Sequence, residues 1–250
     1  MPFHIAVAGK GGTGKTTLAA LTIRHLAERG LGPVLAVDAD ANSNLNEALG
    51  LEVGGTIADL LAGIKDSRSI PAGMTKDMYI EYRLNTVMAE GKHVDLLVMG
   101  GPEGPGCYCF PNDILKRYVQ RLAANYRYLV MDNEAGLEHL SRRIAQDVDI
   151  LLVTSDATAR GVRSAGRVRA LVDSLQTGVG RMYLVLTRAG ATEVDRLRGE
   201  IDATGLELAG TIPLDPLVAE HDLEGKPLFD LPPGSLAVGA VQQLLNRVIA

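Results

Sequence analysis

An apolar run, Ile5-Ala6-Val7-Ala8, leads straight into Gly9-Lys10-Gly11-Gly12-Thr13-Gly14-Lys15-Thr16-Thr17, and a helical pattern opens behind it at Leu18-Ala19-Ala20-Leu21. Strand, glycine-rich loop and helix, in that order, are the context of a phosphate-binding P-loop. The glycines let backbone N–H groups turn inward around phosphate oxygens, and the helix start adds its positive end. Lys15 is then placed to reach the β- and γ-phosphates, and the Thr16 hydroxyl to hold Mg²⁺. Gly11, Gly12, Thr13, Gly14 and Thr17 complete the cradle. Lys10 is a second lysine that an ordinary loop of this kind does not need.

The rest of the chain is patterned as a layered α/β protein. Apolar, β-branched runs at Phe3–Ala8, Val34–Asp38, Val94–Met99, Tyr128–Asp132, Ile150–Thr154, Met182–Leu186 and Leu208–Ile212 read as strands. Amphipathic stretches at Lys15–Glu28, Asp113–Ala123, Gly161–Leu175 and Glu193–Ala203 alternate with them. That order predicts right-handed βαβ units and a P-loop NTPase architecture. The expected sheet is central and mainly parallel, of about seven or eight strands with helices on both faces. The 250 residues fit one domain, 1–250. The segment from Gly63 to His93 reads as a helical insertion, with a helix near Asp77–Met88 and Met74, Met78 and Met88 as core methionines. Leu236–Ile249 reads as a terminal helix packing on the core.

Composition narrows the partners. The net charge of −5 argues against nucleic acid. No apolar run approaches the ~20 residues of a membrane span, and Arg247 stands alone on the polar face of the last helix, which is too little for a membrane-surface helix. The first strand begins almost at once, so no signal peptide is expected and a cytoplasmic location is.

Two strands end in acids. Val37-Asp38-Ala39-Asp40 puts Asp38 and Asp40 two positions apart, on one face of an extended run. Asp132 closes Leu129-Val130-Met131, a placement from which a carboxylate reaches Mg²⁺ through water. In open α/β sheets the carboxyl ends of strands are where ligands bind. Glu138 and His139, further along, read as polar groups on a helix.

Only two cysteines occur, in Gly106-Cys107-Tyr108-Cys109-Phe110-Pro111-Asn112. The count excludes a disulfide framework. Locally extended, Cys107 and Cys109 put both sulfurs on one side, as half of a soft-metal site. A closed thiolate site wants four ligands, which a second copy related by a two-fold axis would supply. A redox dithiol and a pair of packed thiols are the other readings. Sulfur ligation does not choose among Zn²⁺, Ni²⁺ and Cu⁺.

The loop GKGGTGKTT resembles the deviant Walker A motif of the MinD/ParA class of ATPases. Combined with GCYCFPN at Gly106–Asn112 and DNEAGLEHLSR at Asp132–Arg142, it resembles the CooC/AcsF-type nickel-insertion accessory ATPases of carbon monoxide dehydrogenase and acetyl-CoA synthase. The resemblance implies an ATP-driven homodimer in which Lys10 reaches the partner's nucleotide. It implies Ni²⁺, with Zn²⁺ as a substitute, held on Cys107 and Cys109 of both copies and delivered to a client nickel enzyme. It also implies that Asp40 orients the attacking water, that Asp38 holds a water of Mg²⁺, and that Gly136 offers its N–H to the γ-phosphate. Such ATPases often read adenine with an asparagine where this chain has Thr187-Arg188, which leaves Arg188 to stack on the base or face solvent. Pro213-Leu214-Asp215 resembles the base-side loop, and ATP/ADP is the expected nucleotide. The other implied classes are a positioning or partition ATPase, for which Arg160, Arg163, Arg167 and Arg169 would form a basic strip, and an iron–sulfur carrier.

Overall fold

The structure is a computed structural model that describes residues 1–65, 70–100, 119–133, 148–175 and 178–249. Eight strands form one sheet: β1 (Phe3–Gly9), β2 (Val34–Asp38), β3 (Ala89–Glu90), β4 (Val94–Val98), β5 (Tyr128–Asp132), β6 (Val148–Asp156), β7 (Val179–Thr187) and β8 (Glu207–Ile212). Their order is β3-β4-β2-β5-β1-β6-β7-β8, and every pairing is parallel except the short β3–β4 edge. The α/β sheet expected from the sequence is therefore present. The edge pair Ala89–Glu90 is an addition, since two residues carry no periodicity to read.

The described helices are α1 (Lys15–Glu28), α2 (Leu45–Leu49), α3 (Ile57–Lys65), α4 (Lys76–Val87), α5 (Ala159–Leu175), α6 (Ala191–Thr204), α7 (Pro216–Glu224) and α8 (Leu236–Val248). They cover both faces. β1 lies between β5 and β6 and is buried on both sides, so it reads as a continuous apolar run. Ile5 and Val7 turn to the layer formed by Leu18, Leu21 and Ile23 of α1, Leu45 of α2, and Val241, Leu244 and Leu245 of α8. Ala6 and Ala8 turn to the opposite layer, formed by Ile57 and Leu60 of α3, Ile80 and Leu84 of α4, Val162 and Val172 of α5, and Ile201 of α6. The alternation along one strand thus divides the aliphatic core into two.

The terminal helix packs as expected, with Val238, Val241, Leu244, Leu245 and Val248 buried. The reading of the insertion needs one correction. Met74 and Met88 lean on the core, but Met78 is 54 % exposed, because it falls on the outer face of α4 while Tyr79 and Ile80 take the inner one. No helix among the described residues is long and apolar enough to cross a membrane.

Two helix-interior glycines, Gly199 in α6 and Gly239 in α8, have open space where a Cβ would stand. Gly199→Ala and Gly239→Ala should each raise stability by about 0.5–1 kcal/mol in urea melts. Val241→Ala, on the buried face of the same helix as Gly239, should lower it by roughly 2–3 kcal/mol.

Candidate active site

Sheet register brings the sequence-distant groups together. Asp38 pairs with Asp132 across β2 and β5, Val7 pairs with Asp132 across β1 and β5, and Gly9 pairs with Thr154 across β1 and β6. The glycine-rich loop therefore leaves the sheet between two acids and a threonine. Gly9 is held at φ +151, and a Cβ there would stand 2.4 Å from Thr154 Oγ1. Only glycine permits this approach. Gly12 and Gly14 follow at φ +74 and +80.

Helix α1 starts at Lys15 with no side-chain cap and no acid in its first turn, whereas Thr75, Asp215 and Ser235 cap α4, α7 and α8. An uncapped start keeps backbone N–H groups directed at an anion. Lys15 is 7 % exposed and lies close enough to Asp132 to lower that acid's proton affinity. Lys10 is exposed at the crest of the loop. The Thr13 hydroxyl bonds its carbonyl at 2.7 Å, which fixes the Lys10 backbone while the side chain stays outside.

Asp132 is buried, and its Oδ2 accepts the Thr16 hydroxyl at 2.6 Å. Burial raises its pKa from 3.8 to about 7; the charges of Asp38 and Asp40 add to the rise, and the Thr16 bond and Lys15 oppose it. Its Oδ1 is buried with no hydrogen-bond partner among the described residues. A buried carboxylate with an unsatisfied oxygen, beside a hydroxyl, is a hard-oxygen set that fits Mg²⁺.

Asp38 is also buried, and burial raises its pKa, with Asp40 adding to the rise. Each of its oxygens accepts a backbone N–H, from Asp40 and from Leu45, both at 3.0 Å. Asp38 thereby anchors the loop that carries Asp40. Asp40 is half-buried, and its Oδ1 accepts the Asn42 N–H at 2.9 Å.

On the base side, Gly12, Arg188, Pro213, Leu214, Asp215 and Val218 line a cleft of ≈ 330 Å³. Arg188, left by the sequence either to stack on the base or to face solvent, is exposed at the rim of this cleft, and its Nη2 donates to the Gly12 carbonyl at 2.8 Å. The Asp215 side chain is committed elsewhere. Oδ1 accepts the Leu217 N–H at 2.9 Å, and Oδ2 accepts the Ser235 hydroxyl at 2.6 Å and the Ala237 N–H at 2.9 Å. Burial pushes its pKa up, but these donors outweigh it and hold the carboxyl below the usual range. One acid thus ties together the starts of α7 and α8 and forms the cleft floor.

Cys107, Cys109 and Gly136 lie outside the described residues, as do Glu138 and His139. Three groups beside the loop went unread in the sequence. Thr154 places its hydroxyl 2.7 Å from that of Thr13, Thr187 donates to the Thr13 carbonyl at 3.0 Å, and Asn133 donates to the Val7 carbonyl at 2.9 Å. The available signal was a polar residue closing each apolar strand at the same sheet end.

Two outcomes follow from these acids. The folded protein without nucleotide holds the Asp132 proton more tightly than the unfolded chain does. The contribution of Asp132 to stability should therefore fall as pH rises from about 4 to about 7, by on the order of 4 kcal/mol in all. In urea melts with chelator, Asp132→Asn should flatten this fall and exceed the parent protein in stability at pH 8. Asp215→Ala, which releases two helix starts, should cost about 2–4 kcal/mol at neutral pH, and less in acid, where the parent's carboxylate is itself protonated.

Comparison with known proteins agrees with this geometry. The CobQ/CobB/MinD/ParA nucleotide-binding domain matches residues 4–228. An uncharacterised ATP-binding protein of Methanocaldococcus jannaschii is 40 % identical over 98 % of each chain. The carbon monoxide dehydrogenase accessory protein CooC of Rhodospirillum rubrum is 27 % identical over 98 % of this chain and 97 % of its own. The septum site-determining protein MinD of Pyrococcus horikoshii, solved with Mg-ADP, superposes with a TM-score of 0.73 at 23 % identity, covering 99 % of this chain and 96 % of that one, which shows the shared fold. The P-loop sheet, its paired strand-end acids and these matches place the chain in the CobQ/CobB/MinD/ParA family of ATPases.

Proposed function

We propose that this ATPase works as a nucleotide-gated homodimer that carries Ni²⁺ on Cys107 and Cys109 of two copies and passes it to a nickel enzyme of the carbon monoxide dehydrogenase or acetyl-CoA synthase type. The observation that carries the reading is the coincidence, in one chain, of a solvent-facing second lysine on the phosphate loop with a C-x-C half-site. A cation at the loop crest suits a phosphate outside its own subunit, and half a thiolate site suits a two-fold axis. The full-length similarity to a carbon monoxide dehydrogenase accessory protein supports the same client class.

In this reading Lys15 and the amides of Gly11–Thr17 hold the phosphates. Thr16 would ligate Mg²⁺ directly, with Asp132 and Asp38 facing it through water; the ion supplies charge neutralisation at the β- and γ-oxygens. Asp40 orients the attacking water from the loop that Asp38 anchors. The Gly136 N–H follows the γ-phosphate. Lys10 of each subunit senses the other's nucleotide, so bound ATP sets the distance between the two cysteine loops. Arg188, Pro213 and Leu214 border the nucleoside. Two of the arginines that a DNA-tracking ATPase would present are occupied: Arg163 pairs with Glu200 and Arg169 with Asp173.

Light scattering with metal analysis, in ADP and in a non-hydrolysable ATP analogue, tests the proposal. The expected result is about one Ni²⁺ per dimer, lost in Cys107→Ala. Lys10→Ala should lose nucleotide-dependent dimerisation. Tight uptake of one Ni²⁺ by the Lys10→Ala monomer would defeat the shared site, and ATP-dependent, salt-sensitive DNA binding would restore the partition alternative.

A further inference from the structure

The last residue of strand β7 and the one that follows it hold the phosphate loop from the side. The Thr187 hydroxyl, in a side chain 6 % exposed, donates to the Thr13 carbonyl at 3.0 Å, with the Ser155 carbonyl at 3.2 Å. The next residue, Arg188, donates from Nη2 to the Gly12 carbonyl at 2.8 Å. Successive residues of one strand end therefore hold successive carbonyls of the loop. Arg188 does so at φ +53, a left-handed conformation uncommon for a long side chain. Backbone held in such a region beside a ligand site is a pointer to function.

A peptide unit is planar and trans, so its C=O and the following N–H point in opposite directions. Drawing the Gly12 and Thr13 carbonyls toward β7 turns the N–H groups of Thr13 and Gly14 the other way. The Thr13 N–H has only a long contact, 3.4 Å, with the Lys10 carbonyl. It is thus lightly held and available to an anion. The residue after Arg188 is tied to β8, since the Ala189 N–H donates to the Ile212 carbonyl at 3.3 Å. Ile212 leads into Pro213 and Leu214, the far wall of the base cleft.

We infer that Thr187 and Arg188 form a grip that pre-orients the Thr13 and Gly14 amides for phosphate, making Arg188 a positioning residue for nucleotide binding rather than a base-reading one. The inference rests on the ATPase site alone and is independent of the metal reading.

The test compares Arg188→Asn and Arg188→Gly, both at ease at positive φ, with Thr187→Val. For the Arg188 variants, KM for MgATP and the inhibition constant of inorganic tripolyphosphate should both rise about 5- to 20-fold, with kcat within about threefold. Their melting temperatures without nucleotide should stay within about 2 °C of the parent's. Thr187→Val should move both constants in the same direction. If affinity falls for ATP but not for tripolyphosphate, Arg188 acts on the base and the grip is wrong. If the Arg188 variants lose melting temperature while both constants hold, its role is structural only, and the grip is equally wrong.

Discussion

The organisation of the active site rests on one carboxyl group placed where water scarcely reaches. Asp132 ends a strand flanked on both sides by parallel neighbours, so its position is set by β1 and β2 rather than by a loop. It faces Thr16 at 2.6 Å, while the Asp38 and Asp40 charges stand near enough to raise its proton affinity. A group in that situation resists ionisation, and arriving positive charge favours its ionised form. Lys15 supplies part of it. A divalent cation escorting a polyphosphate supplies the rest, and the uncapped start of α1 receives the anion. The cost of ionising Asp132 and the site's suitability for a metal-bound polyphosphate are therefore two sides of the same arrangement.

The anchoring of the neighbouring loop follows the same logic. Asp38 accepts the N–H groups of Asp40 and Leu45, so the loop carrying Asp40 hangs from the carboxyl beside Asp132. Any change in charge around Asp132 is felt by Asp38 directly, without a long path. On the proposed reading, this is how the state of the phosphates would reach a subunit interface: the loop under the Asp38 carboxyl and the crest bearing Lys10 flank the same phosphate position.

The central strands were legible because both their faces are buried, which turns them into unbroken apolar runs; Val34–Asp38 and Tyr128–Asp132 match to the residue. Strand β7 begins earlier than its apolar core, since Val179, Gly180 and Arg181 are partly or fully exposed and look like loop. Helix α2 is five residues long and shows no period. Helix α7 was hidden differently: Asp215-Pro216 is an N-cap followed by proline at the first helical position, but none of its residues is buried, so no apolar stripe announces it. In the site, the strand-end acids were readable from position. Arg188 was not, because its partner is a backbone carbonyl 176 residues away, and no side-chain pattern records a carbonyl.

The base side shows what kind of nucleotide site this is. Of the two acids that line the cleft, Asp215 is engaged in starting two helices, and Arg188 donates to the phosphate loop. The rest of the lining joins apolar surface from Ile212, Pro213, Leu214 and Val218 to the exposed Asp222 and to Thr17. Apolar walls discriminate weakly, whereas a buried side-chain donor or acceptor rejects the wrong partner strongly. Recognition is therefore weighted toward the phosphate end, where the amides, Lys15 and the strand-end acids are concentrated. On the proposed reading, that weighting suits a switch that follows the number of phosphates bound.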